Sequence, residues 1–310
     1  MYFQRKIIVI LIVSLTLFLI GCGFNKNEEK KIVREYDVES VGDLIGSVEN
    51  IPDLSDQIIE SILNSFPSPV EISYLLKSVG TGYSNNILNP AENKNKYITS
   101  YKKAINLGTY GADLGYTNIY AQRRDVIQYL NLVYELANEI SIGHVFDFNS
   151  IKRVALNSEN LDSLLYMTTL NYERMNKYLR EQNQLKLSVL MLTGGWLESI
   201  YILSQVAKQS SNEELKERVG EQKITLDNIM LLLSVYQVDP DVRKLLNEFM
   251  KLKNLYDQVE IVYHYAEPDF TEVDGRMTII DNSTTTINIS DELFMQIIER
   301  IGSIREDIIT

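Results

Sequence analysis

From about residue 53 onward, apolar residues fall at i, i+3, i+4 and i+7, the spacing of one face of an α-helix. Ser68-Pro69-Val70-Glu71 joins a capping box to a proline at the first helical position, and Ile72, Leu75, Leu76 and Val79 follow before Gly80. That predicts a complete short helix. Asn89-Pro90 opens a region in which residues 97–121 and 124–140 read as two long helices. Ser158 is expected to cap a helix carrying Leu161, Leu164, Leu165, Thr168, Tyr172, Met175 and Leu179. Ser211-Asn212-Glu213-Glu214 is a second capping box. Asp239-Pro240 starts a stripe of Leu245, Phe249, Leu252, Tyr256, Val259 and Tyr263, and Ser290 starts Leu293, Ile297, Ile301, Ile304 and Ile308.

One stretch departs from this period. Residues 277–280 and 284–289 are rich in β-branched side chains and are separated by Asp281-Asn282-Ser283, which predicts a small hairpin. The expected fold class is therefore mostly all-α: a multi-helix bundle or short array of antiparallel helix pairs, with a small β-hairpin near the C-terminus. About nine or ten helices joined by short loops would fill it. Leu107-Gly108 opens like a tetratricopeptide repeat, but Gly111 stands where the repeat needs tyrosine, so no repeat is assigned.

The N-terminus follows a different logic. Arg5 and Lys6 precede a run from Ile7 to Ile20 that is apolar except for Ser14 and Thr16, the charged and hydrophobic parts of a secretory signal. The run is shorter than the roughly 20 residues that cross a bilayer as a helix. It ends in Leu19-Ile20-Gly21-Cys22, and Cys22 is the only cysteine. These residues resemble the lipobox of bacterial lipoproteins. The resemblance implies that residues 1–21 are removed, that Cys22 is the lipid attachment site, and that its acyl chains hold the protein on a membrane without spanning it. Residues 22–50, polar and charged, then read as a lipid-attached flexible tether to a single helical domain over 51–310. Gly23 is not the aspartate that favours inner-membrane retention in enterobacterial members, so the implied address is the outer membrane where the cell has one. The mature part resembles uncharacterised helical lipoproteins of Bacteroidetes-like organisms in its lipobox and glycine-bearing helices, a likeness that implies no activity.

Charge narrows the partners. Loss of residues 1–21 removes Arg5 and Lys6 but no acid, moving the formal charge from -12 to about -14. Such a surface repels phosphate backbones, so nucleic acid is not an expected partner. With the one thiol committed to lipid, no disulfide is expected.

Two segments could carry chemistry. Gly108, Gly111, Ala112 and Gly115 share one helix face, and Gly194-Gly195 interrupts the apolar helix expected over 185–206. Two helices crossing at these glycines would recover the roughly 1 kcal/mol each glycine costs a helix. On that geometry Gly111→Val should cost more than the about 1–3 kcal/mol of an ordinary overpacked core. Asn106, Tyr110, Asp113 and Tyr120 would then face Glu198, Tyr201 and Gln205 across a polar cleft able to hold a sugar, a cation or an amine, with Trp196 beside them as a further candidate ligand-binding residue. A buried and paired Asp113 is expected to cost about 1–3 kcal/mol when changed to asparagine.

His144 and His264 lack metal-ligand spacing, and no phosphate loop, dinucleotide fingerprint or Gly-x-Ser-x-Gly elbow occurs, so neither metal nor cofactor is expected. The leading expectation is a non-enzymatic, lipid-anchored binding or scaffold domain of the cell envelope, acting on an envelope protein or small ligand. The alternative is an acid/base hydrolase of an envelope or extracellular glycan working through Asp113 and Glu198.

Overall fold

The computed structural model describes residues 56–65, 69–156, 161–273, 276–280 and 282–310. The signal, Cys22, the tether and the caps expected at Ser68 and Ser158 lie outside the described residues. Eleven helices are described: α1 (Asp56–Ser65), α2 (Pro69–Ser78), α3 (Ser100–Ile119), α4 (Arg123–Glu139), α5 (Phe148–Leu156), α6 (Leu161–Glu181), α7 (Leu185–Ser210), α8 (Glu213–Gly220), α9 (Gln222–Ser234), α10 (Pro240–Tyr256) and α11 (Asp291–Ile309). Strands β1 (Glu260–His264), β2 (Asp269–Val273), β3 (Arg276–Ile280) and β4 (Thr284–Asn288) separate α10 from α11. The fold is mostly all-α, as the apolar spacing predicts.

Capping side chains fix several of the starts. Thr99 accepts from the Lys102 N–H at 3.1 Å, Asp239 from the Asp241 N–H at 2.9 Å, and Ser290 from the Leu293 N–H at 3.1 Å. The box at 211–214 is shifted by one residue: Asn212, not Ser211, accepts from the Leu215 N–H at 3.0 Å. Ser211 has already turned into the left-handed region (φ 50°) to end α7. Ala121, Ser141 and Asn183 end α3, α4 and α6 in the same backbone conformation. In each case the next N–H reaches five residues back, as Gln122 N–H does to Thr117 O at 3.0 Å. None of these stops is glycine, so the sequence does not advertise them.

The helix α7 is the centre. It packs against α2, α3, α6, α8, α9 and α11. It is long and apolar enough to cross a membrane by length and composition, yet 89% of its most apolar window is buried inside the protein. A helix apolar on all sides is what a core position requires. Its closest partner is α3. A Cβ on Gly108 would strike the backbone of Met191 and lie 2.7 Å from the nitrogen of Gly195, and one on Gly194 would strike the backbone of Ile105. The two backbones therefore touch at Gly108 and Gly194. Gly111 is a correction to the expected stripe: a Cβ there meets nothing within 4 Å. Asp113 and Glu198 lie together on the C-terminal side of this crossing on both helices, so α3 and α7 run the same way. The long connection through α4, α5 and α6 permits that direction.

The segment from Gly80 to Thr99 lies across α3 with only two short 3₁₀ turns, at Asn85–Ile87 and Ala91–Lys96. Ile87, Leu88 and Asn89 within it are buried. A buried loop must find partners for its backbone, and tyrosines supply them. The Tyr116 hydroxyl accepts from the Ser84 N–H at 3.1 Å, while Tyr110 donates to Pro90 O and Tyr129 to Asn89 O, each at 3.0 Å. The surplus of tyrosine over phenylalanine has its structural use here.

The expected hairpin is corrected in its pairing. Residues 276–280 and 284–288 are strands, but β3 pairs with β2 and β4 with β1, both antiparallel. The registers, Asp269 opposite Ile280 and His264 opposite Thr284, place the two ladders in succession along one longer ribbon. The stripe expected to carry helix α10 on to Tyr263 also stops early. The helix ends at Tyr256, and Ile261, Val262 and Tyr263 are strand, where β-branched and aromatic side chains fit best.

Candidate functional site

Three ionisable side chains meet where α3, α7 and α11 converge. Asp113 and Glu198 have no exposed surface, and Arg305 is almost fully buried. The Arg305 guanidinium donates to both Glu198 oxygens, Nε at 2.7 Å and Nη2 at 2.6 Å, the bidentate geometry that suits guanidinium to carboxylate. Nη2 also donates to Ile87 O at 3.1 Å, and the group stacks 4.1 Å over the ring centre of Tyr201. Asp113 lies close enough to Glu198 to feel its charge, and its Oδ2 accepts from the Asn89 N–H at 3.3 Å. Its Oδ1 receives no hydrogen bond.

One cation for two carboxyls decides the protonation. Burial raises the Asp113 carboxyl well above the ordinary carboxylate range, the Glu198 charge raises it further, and Arg305 opposes both without cancelling them. Asp113 is then the carboxyl that holds its proton above the ordinary carboxylate range.

Further polar groups close the compartment. Asn106 Nδ2 donates to Lys102 O at 2.9 Å and to Ile308 O at 3.0 Å, while Tyr97 donates to Ile309 O at 3.3 Å. Asn89 Nδ2 donates to the Tyr97 hydroxyl at 3.0 Å. Burial pushes the Tyr97 phenol up to about 12, so it stays a donor at neutral pH. These bonds satisfy carbonyls at the C-terminal end of α11 that its own helix cannot. The arrangement fastens the last helix to the core.

The sequence-predicted residues separate into two sets. Asn106, Tyr110, Asp113, Glu198 and Tyr201 belong to this polar compartment or its wall. Trp196 lies on another side of α7, donating to Gln222 Oε1 at 3.0 Å and meeting Phe249 edge-on at 5.9 Å between ring centres. Tyr120 bonds Thr81 and joins Tyr83 and Tyr116 in a separate aromatic stack. Acid/base hydrolysis needs a carboxyl that can reach a substrate oxygen, and neither Asp113 nor Glu198 has surface to offer one.

Arg305 was not among the expected site residues, although its position was readable. It sits between Ile304 and Ile308 on the apolar face of α11, one helical turn after Ile301, where an unpaired charge is not tolerated. Asn89 and Tyr97 carry no such signal, because they act from the segment between helices.

Asp113→Asn tests the assigned proton. Below about pH 4 both folded and unfolded chains hold it; above that the unfolded chain loses it while the folded chain keeps it up to its raised pKa. Stability of the wild type should therefore fall relative to Asp113→Asn by about 1.4 kcal/mol per pH unit through that window. Asparagine keeps an acceptor for Asn89 and a donor for Glu198, so at neutral pH the variant should be at least as stable as the wild type. This reverses the loss expected from a buried and paired Asp113. Denaturant melts of both proteins at pH 5, 6 and 7 check it, and parallel pH profiles would count against a protonated Asp113.

No family model, characterised protein or solved structure matches this chain, so its functional reading rests on this geometry.

Proposed function

We propose that this protein is a non-enzymatic, lipid-anchored binding or scaffold domain of the bacterial cell envelope, held through acyl chains on Cys22. The observation that carries the reading is the enclosed Asp113–Glu198–Arg305 compartment. Its carboxyls spend their hydrogen-bonding capacity on joining α3, α7 and α11, which leaves neither Asp113 nor Glu198 poised over an open cleft. The tether over residues 22–50 would give that body reach from the membrane surface, the outer membrane where the cell has one. Recognition of a partner then belongs to the exterior of the domain.

The anchor is tested by Cys22→Ser. Expressed in a bacterial host, the wild type should fractionate with membranes and carry the added mass of its acyl groups, while the variant should be released without that mass. A variant that stays membrane-bound with unchanged mass would remove the lipid-anchor reading.

A further inference from the structure

The β-ribbon between α10 and α11 takes no part in the compartment. Its base is seated on the helical body. Ile287 is buried and lies so close to Gly220 that a Cβ on the glycine would come within 2.6 Å of Ile287 Cγ2, and Lys223 Nζ donates to Val259 O at 3.1 Å. Beyond that base the character changes. Tyr263, Tyr265 and Phe270 are 62%, 70% and 64% exposed, whereas the only other large aromatic exposed among the described residues, Tyr134, shows 38%. Several large aromatics exposed on one ribbon mark an interaction surface more often than single ones scattered over a protein do.

Each ladder has only two strands, so among the described residues every strand has one side with no strand partner. Backbone donors and acceptors along such an edge are a template for another strand. Ile261 and Tyr263 are two residues apart along β1 and so share a face, which carries the aromatic surface outward from half-buried Ile261, paired with buried Ile287. Glu260, Glu267 and Asp269 are exposed along the same ribbon. Its sequence adds Glu272, Asp274 and Asp281 against the single arginine Arg276.

We propose that this ribbon is the docking edge for an extended, basic segment of a partner polypeptide. Such a segment would add a strand by main-chain hydrogen bonds, lay alternate apolar side chains on Tyr263 and its neighbours, and direct its Lys or Arg side chains to the acids. The charge decides among occupants. A second copy of this chain would bring one acidic ribbon against another, and anionic lipid headgroups would meet the same repulsion. The inference deepens the binding-domain reading and rests on it.

The test uses the purified full-length chain and a short acetylated peptide that alternates lysine and valine. Saturable binding is expected, weakened by high salt and lost when alternate peptide nitrogens are methylated, which removes main-chain donors. The triple variant Tyr263→Ser/Tyr265→Ser/Phe270→Ser, with its helical circular dichroism unchanged, should bind at least about tenfold more weakly. Equal affinity for a glutamate–valine peptide, indifference to N-methylation, or undiminished binding by the triple variant would each overturn the proposal. So would self-association of the free protein that the triple substitution abolishes. Cys22→Ser should bind the peptide as the wild type does, so failure of the anchor and failure of the docking edge are read separately.

Discussion

Gly194→Ala should be among the most destabilising single substitutions in this protein, costing more than the about 1–3 kcal/mol typical of overpacked cores. The added methyl would land on the carbonyl oxygen of Ile105 and 2.8 Å from its carbon. Both atoms are backbone within α3, so no side chain can swing aside and two helices must separate. Gly108→Ala should act alike through Met191. Gly111→Ala supplies the contrast: the same face carries it, but nothing stands within 4 Å of its Cβ. There alanine should gain up to about 1 kcal/mol of helix propensity. Denaturant unfolding of the three variants checks the signs, and a Gly194→Ala midpoint at or above the wild type would mean that the helices do not touch there.

Arg305→Ala should cost about 3–5 kcal/mol, the range for removing one partner of a buried ion pair. Glu198 would be left without its cation beside Asp113, Ile87 O would lose a donor, and Tyr201 would lose the group stacked on it. Because α11 is fastened through this residue, the loss should appear first at the C-terminus. Hydrogen exchange is expected to accelerate along α11 before it does along α3 or α7. The double substitution Glu198→Leu/Arg305→Met should recover most of the stability, since replacing both partners by apolar groups leaves no charge stranded. A double variant as unstable as Arg305→Ala would show that shape or hydrogen bonding, not the stranded charge, sets the cost.

The apolar period by itself determined the fold class and most helix starts, because periodicity and caps are local: Asp239, Ser290 and Pro69 sit where the chain begins to coil. It also picked out the two glycine-bearing helices and the acids Asp113 and Glu198. What it could not supply were relations between distant residues. The glycines at 108 and 111 are alike in sequence, and only the crossing of α3 with α7 makes the first indispensable and leaves the second open. The strands at 276–280 and 284–288 were legible, but their partners β2 and β1 depend on a ribbon whose register is set across it. The role of Asp113 was decided by Arg305, nearly two hundred residues away in the chain. Whether a buried carboxyl is charged depends on how many carboxyls and cations share its surroundings, and that count exists only once three helices have met.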